Sequence, residues 1–233
     1  MSADPRARIW YSFGRDRRLN AELIQLHCQW EETMSNNDGQ FDKELEAAYL
    51  ELDKARKKLA ELRRKLPQEA VDDYQLQGPN GPISLSALFG DKEDLILVHN
   101  MGSGCSYCTL WADNFNGVAH HLQDRAAFVL VSPDSPAEQQ EFARGRGWRF
   151  PVYSAQGSAF TADMGFQSSE GGFMSGYMPG VSVFRKNDDG SISRVAKDHF
   201  GPGDSYCGAW HLFDLLPDGP AGWNPQFEYP DQE

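Results

Sequence analysis

Leu95-Ile-Leu-Val-His-Asn-Met-Gly-Ser-Gly-Cys105-Ser-Tyr-Cys108-Thr-Leu-Trp111 is the stretch that decides the fold. Its first four residues are a continuous apolar run, the pattern of a strand buried on both faces. From Cys105 to Leu122 the apolar residues Leu110, Trp111, Phe115, Val118, Ala119 and Leu122 recur at helical spacing. The two cysteines therefore stand where a buried strand gives way to a helix. A sulfur at a helix start faces unpaired backbone N–H groups and the positive end of the helix dipole, and both favour thiolate over thiol. In Cys-x-x-Cys sites of this kind the pKa of the nucleophile falls from about 8.5 into roughly the 3.5–7.5 range. One helical turn brings the second sulfur within bonding reach. Cys105 is then expected to attack a disulfide and Cys108 to resolve the mixed disulfide. Gly102 and Gly104 let the chain turn tightly before the helix.

Metal ligation by the same thiols stays open. Zinc would need two more ligands, and His120 and His121 lack zinc-finger spacing from Cys108. His99 could complete a copper-type site; otherwise, at the end of a buried strand, it simply hydrogen-bonds locally.

Working outward, the body alternates strand and helix signals. Residues 74–76 and 83–85 flank the turn Gly78-Pro-Asn-Gly81, a hairpin. Ala127-Phe-Val-Leu-Val131 is a second buried strand. Ser135-Pro-Ala-Glu138 is a capping box with proline at the first helical position. Phe150 to Tyr153 reads as a short strand. Residues 167–180 are rich in Ser and Gly and read as a mobile loop, a candidate lid carrying Phe173, Met174 and Tyr177. Val181 to Phe184 and Ile192 to Val195 flank Asn187-Asp-Asp-Gly190, an antiparallel hairpin. A last helix is expected over 205–216. The tail, 217–233, is Pro/Gly-rich with Trp223, Phe227 and Tyr229, and is expected to fold back on the body. This order is α/β with a mixed central sheet flanked by helices.

The amino-terminal region differs in charge. Residues 1–66 carry 13 basic and 12 acidic side chains, and the rest carry 9 and 22. That shift, with Pro67 at the junction, divides the chain into an N-terminal helical extension (1–67), the body (68–216) and the tail (217–233). Leu23, Ile24, His27, Trp30 and Met34 suggest a helix over 20–34, and Ser35 to Gly39 a turn. Phe41, Leu45, Ala48, Leu52, Ala55, Leu59, Leu62 and Leu66 then follow a heptad spacing. Acids lie early in this segment and bases late, which suits the helix dipole. The seam either packs along the body or a neighbouring helix, or joins two chains as a homodimer.

The net charge of −12 argues against binding nucleic acid through clustered Lys and Arg. No run approaches the roughly 18 apolar residues that span a bilayer, so no membrane partner is expected. The first residues carry no secretory signal, which makes the cytoplasm the expected compartment. In that reducing setting, four cysteines at 28, 105, 108 and 207 argue for catalysis or metal binding rather than a structural disulfide set. Cys28 and Cys207 read as buried filler. Asp113 reads as a helix-surface acid, with proton acceptance from Cys108 as a lesser alternative.

Tyr177-Met178-Pro179-Gly180 precedes a strand, where a proline can hold a cis bond and present the Met178 backbone to an extended substrate. Through Leu52 to Pro67, then "YQLQGPNG", "LILVHNMGSGCSYCTLWADNFNG", "GWRFPVYS" and "GVSVFRK", the chain from about 45 to 200 resembles an uncharacterised bacterial thioredoxin-like family related to alkyl hydroperoxide reductase and thiol-specific antioxidant proteins. The resemblance implies a thioredoxin-like fold with Cys105 as nucleophile, Cys108 as resolver and Pro179 as the cis-proline. Tyr107, Trp111 and Met178 are then the expected substrate contacts. The sequence departs from thioredoxins, which carry Trp before the first Cys and Gly-Pro between the pair; here stand Gly104 and Ser106-Tyr107. It departs from peroxiredoxins, which place Pro and Thr/Ser seven and three residues before the peroxidatic Cys; here stand Val98 and Gly102. The expected function is a thiol–disulfide oxidoreductase acting on a disulfide-containing protein or small molecule, with no cofactor. The alternatives are a non-catalytic interaction module that dimerises through the 41–66 helix, and a copper or zinc carrier.

Overall fold

The computed structural model describes residues 43–168 and 176–230. The expected helix over 20–34, the turn after it, Cys28, Phe41, Phe173 and Met174 lie outside the described residues. The chain divides into two units, 1–59 and 60–233, and the boundary falls within helix α1, Lys43–Arg64.

The second unit carries one sheet. Among the described residues its strands are β1 (Glu69–Val71), β2 (Gln75–Gly78), β3 (Gly81–Ser84), β4 (Asp94–His99), β5 (Ala127–Ser132), β6 (Val152–Ser154), β7 (Gly180–Lys186) and β8 (Ile192–His199). Their spatial order is β1-β8-β7-β4-β5-β6-β2-β3. β4, β5 and β6 are parallel neighbours, and β7 and β8 add an antiparallel hairpin beside β4. The helices are α2 (Ser106–Arg125), α3 (Pro136–Gly145), α4 (Phe160–Asp163) and α5 (Gly208–Phe213). A β4-α2-β5 crossover followed by a β7-β8-α5 unit around a mixed sheet is the expected thioredoxin-like fold.

The period of two along β4 and β5 sorts their side chains onto two faces. Leu95, Leu97, Val129 and Val131 pack with Phe160, Phe166 and Phe184. Ile96, Val98, Phe128 and Leu130 pack with Trp111, Ala112 and Ala119 of α2 and with Trp210 of α5. Each fully buried Leu or Phe contributes about 1.5–3 kcal/mol relative to exposure.

Local chemistry sets the element ends. Ser135 and Glu138 form the reciprocal capping box at the start of α3. The last helix is shorter than expected. Asp204 accepts from the amides of Gly201 and Tyr206, and this side-chain turn replaces helix until Gly208. The tail lies against the body: Trp223 packs on Phe213 and Trp210, and Arg146 Nη1 donates to the Phe227 carbonyl at 2.7 Å. Among the described residues no helix is long and apolar enough to cross a membrane.

Candidate active site

β4 ends at His99, and the chain then makes a tight loop before α2. Asn100 N donates to Val131 O of the parallel neighbour at 2.9 Å, which extends the strand pairing by one residue. Asn100 Oδ1 accepts from Gly102 N at 2.7 Å, and its Nδ2 donates to the Cys108 carbonyl at 3.4 Å. Gly102 has φ +109, a conformation that side chains disfavour, and an added Cβ would sit 2.6 Å from Asp134 Oδ1. Asp134 Oδ2 accepts from Ser103 N at 2.9 Å and from Ser132 Oγ at 3.0 Å. Cys105 N then donates to Gly102 O at 3.1 Å and closes the turn.

Cys105 is the N-cap of α2. Its sulfur accepts a hydrogen bond from Cys108 N at 3.0 Å, and its carbonyl accepts from both N and Oγ1 of Thr109 at 3.0 Å. The Cys108 thiol beside it, and the amides of Cys108 and Tyr107, lower the pKa of Cys105 against the opposing effect of burial. Cys108 moves the other way: its hydrogen bond to Cys105, its burial and the charge of Cys105 all raise its pKa. The two are free thiols, 3 % and 2 % exposed. The two neighbouring thiols are thus shifted in opposite directions.

The other expected site residues divide. Tyr107 is half-buried, and its hydroxyl donates to Asn224 Oδ1 of the tail at 2.6 Å. Met178 is 38 % exposed. Trp111 is a core residue, packed on Phe200 and Tyr107 and as deeply buried as the two cysteines. The peptide before Pro179 is trans, since no described peptide bond is cis. This corrects the expected cis-proline. Met178 N donates to Phe166 O and Phe200 N donates to Pro179 O, so the backbone is held on both sides of this peptide. Pro179 still leads into β7 at Gly180, which pairs with His99 at the end of β4.

His99 is a core residue. Its Nε2 shares a hydrogen bond with Ser182 Oγ at 2.9 Å, its ring stacks on Phe166 at 3.8 Å, and burial holds its pKa well below the ordinary value. Among the described residues no group of three or more His, Cys, Asp or Glu side chains is placed to hold a metal ion. Cys207 is buried at the start of α5, and burial raises its pKa. Asp113 binds Arg146 and accepts from Trp148 Nε1 at 2.7 Å, which ties α2 to the segment after α3.

Asn100 and Asp134 were missed by sequence reasoning. Asn100 had a signal, an Asx residue two before a glycine at a strand end. Asp134 had one only in three dimensions, because adjacent parallel strands bring the loops at their carboxyl ends together.

A family described as "Bacterial protein of unknown function (DUF899)" matches residues 34–228. The chain belongs to this family. No curated protein matches it. Similar solved structures include peroxidoxin BcpB from Mycobacterium tuberculosis, at 26 % identity over 54 % of this chain and 80 % of that one, with a TM-score of 0.43. Peroxiredoxin Q from Xanthomonas campestris is similar at 19 % identity over 59 % and 87 %, with a TM-score of 0.47. Reduced Prx3 from Vibrio vulnificus in complex with hydrogen peroxide is similar at 13 % identity over 60 % and 90 %, with a TM-score of 0.47.

Proposed function

We propose that this member of DUF899 is a thiol–disulfide oxidoreductase with Cys105 as nucleophile and Cys108 as resolver. The observation that carries the reading is the hydrogen bond from Cys108 N to the Cys105 sulfur at the first turn of α2. A thiolate there is held by backbone amides and the helix dipole. The Cys105 thiolate attacks one sulfur of a substrate disulfide. The substrate S–S bond breaks, and one substrate thiolate leaves. The mixed disulfide removes the negative charge at Cys105, one of the causes that raise the pKa of Cys108. Cys108 then gives up its proton and attacks the Cys105 sulfur. The Cys105–Cys108 disulfide forms, the second substrate thiolate leaves, and two electrons have passed to the substrate. A thiol reductant closes the cycle. Met178 and Tyr107 supply the substrate contacts in this reading.

Native protein titrated in glutathione redox buffer, with thiols counted by mass after alkylation, tests it. Cys105 and Cys108 should interconvert as a pair. Cys105→Ser should abolish the conversion, and Cys108→Ala should accumulate a mixed disulfide at Cys105. Because Cys105 is 3 % exposed, the decisive point is native reactivity. A Cys105 that reacts with glutathione disulfide only on unfolding rejects the proposal.

A further inference from the structure

Helix α1 leaves its apolar seam open. Leu45, Leu52, Leu59 and Leu62 are 45–53 % exposed, Ala48 and Ala55 are also exposed, and no residue of the helix is buried. In heptad terms Leu45, Leu52 and Leu59 fall at a, and Ala48, Ala55 and Leu62 at d. We propose that this seam pairs with the same helix of a second copy, antiparallel, in a register that sets Leu45 against Leu62, Ala48 against Leu59 and Leu52 against Ala55.

Two features select this arrangement. The first is volume. Antiparallel helices pack a against d, so each alanine meets a leucine and the layers interdigitate. A parallel pair packs d on d, and Ala48 on Ala48 and Ala55 on Ala55 would leave the seam underfilled. The second is charge. In the antiparallel register the g positions flank one another, and Glu51 of one copy lies beside Lys58 of the other, twice over. At the e positions Tyr49 meets Arg56, a cation–π pair. A parallel pair would set Glu51 beside Arg56 but also Lys58 beside Arg63 of the second copy, an Arg63 that already binds Asp198, so one attraction is offset by one like-charge contact. The acid-first, base-last order of the helix is thus better matched to itself reversed than parallel.

The segment 20–34 of the same chain is the rival occupant. The self-complementary Glu51–Lys58 contacts favour a second copy, and the measurement below separates the two occupants.

Sedimentation equilibrium of the full chain up to about 200 μM tests the inference, because a seam of three heptads associates weakly. The expected result is a mass approaching twice 26.1 kDa with rising concentration. Leu52→Glu/Leu59→Glu should return it to the single-chain mass, with the far-ultraviolet circular dichroism of the body kept. Lys58→Glu should raise the dissociation constant about tenfold by placing a second carboxylate beside Glu51, and Glu51→Lys/Lys58→Glu should restore it. A single-chain mass at every concentration overturns the proposal and leaves the seam to segment 20–34. A dimer that survives Leu52→Glu/Leu59→Glu overturns it in favour of another surface. Tighter association of Lys58→Glu overturns the antiparallel register, since in a parallel pair the introduced carboxylate would meet Arg63 of the second copy.

Discussion

A methyl group at position 102 has no room. Gly102 combines φ +109 with the Asp134 carboxylate where a Cβ would go. Gly102→Ala should cost about 1–3 kcal/mol in urea denaturation, because it strains the backbone and pushes Asp134 off Ser103 N. Gly180 is tighter still, since a Cβ there would meet the Phe166 ring and the Asp198 carbonyl at once. Gly180→Ala should cost about 3 kcal/mol or more. The shift at Cys105 makes a kinetic prediction of definite sign. A lowered pKa means that thiolate persists to lower pH, so iodoacetamide alkylation of Cys105 should plateau below the pH of about 8.5 where an ordinary thiol is half ionised. Cys108 should stay unreactive across that window, as its raised pKa keeps it protonated. An alkylation profile for Cys105 centred at or above that of a free thiol would remove its activation.

The helix and strand boundaries repay the same treatment. Ser135→Ala removes one half of a capping box and should cost about 1 kcal/mol, read as a shift in the urea midpoint without a change of slope. At the amino-terminal end of β4, Asp94 accepts from Arg185 of β7 at 2.7 Å and from Arg125 of α2 at 3.0 Å. Burial alone would raise its pKa, but the two arginines outweigh burial and hold it below the usual carboxylate value. Its contribution is therefore present above the unfolded pKa of about 3.9 and is lost as pH falls through the lower folded value. Asp94→Asn should flatten that acid limb of the stability profile while lowering stability at pH 7 by about 1–2 kcal/mol. The strands β4 and β5, the α3 cap and both hairpins were legible because each rests on local pattern: apolar runs, Ser-Pro-x-Glu and glycine turns. β1 and α4 were not, at three and four residues too short to show a period. β1 owes its place to a distant partner, since Glu69 pairs with the buried Arg194 of β8, which also donates to the Met164 carbonyl. The Cys-x-x-Cys at the head of a helix was equally plain. The trans peptide before Pro179 was not, because it depends on what packs around it.

The tail joins parts of the second unit that are remote in sequence. Trp223 covers Phe213 and Trp210, Phe227 meets Phe142 edge-on at 6.3 Å, and Asn224 holds the Tyr107 hydroxyl. Its aromatic residues signalled that it returns to the body, but the surfaces it meets could not be read without the fold. Removal of residues 217–233 should cost about 2–4 kcal/mol by calorimetry, chiefly from uncovered Trp210 and Phe142. Tyr107 lies between the two sulfurs along the chain, so its latch reaches the dithiol from more than a hundred residues away. Preparations that differ only by carboxy-terminal clipping would then differ in thiol reactivity, although neither cysteine had been touched. An intact mass recorded beside every alkylation count would tell a nicked sample from a sluggish one.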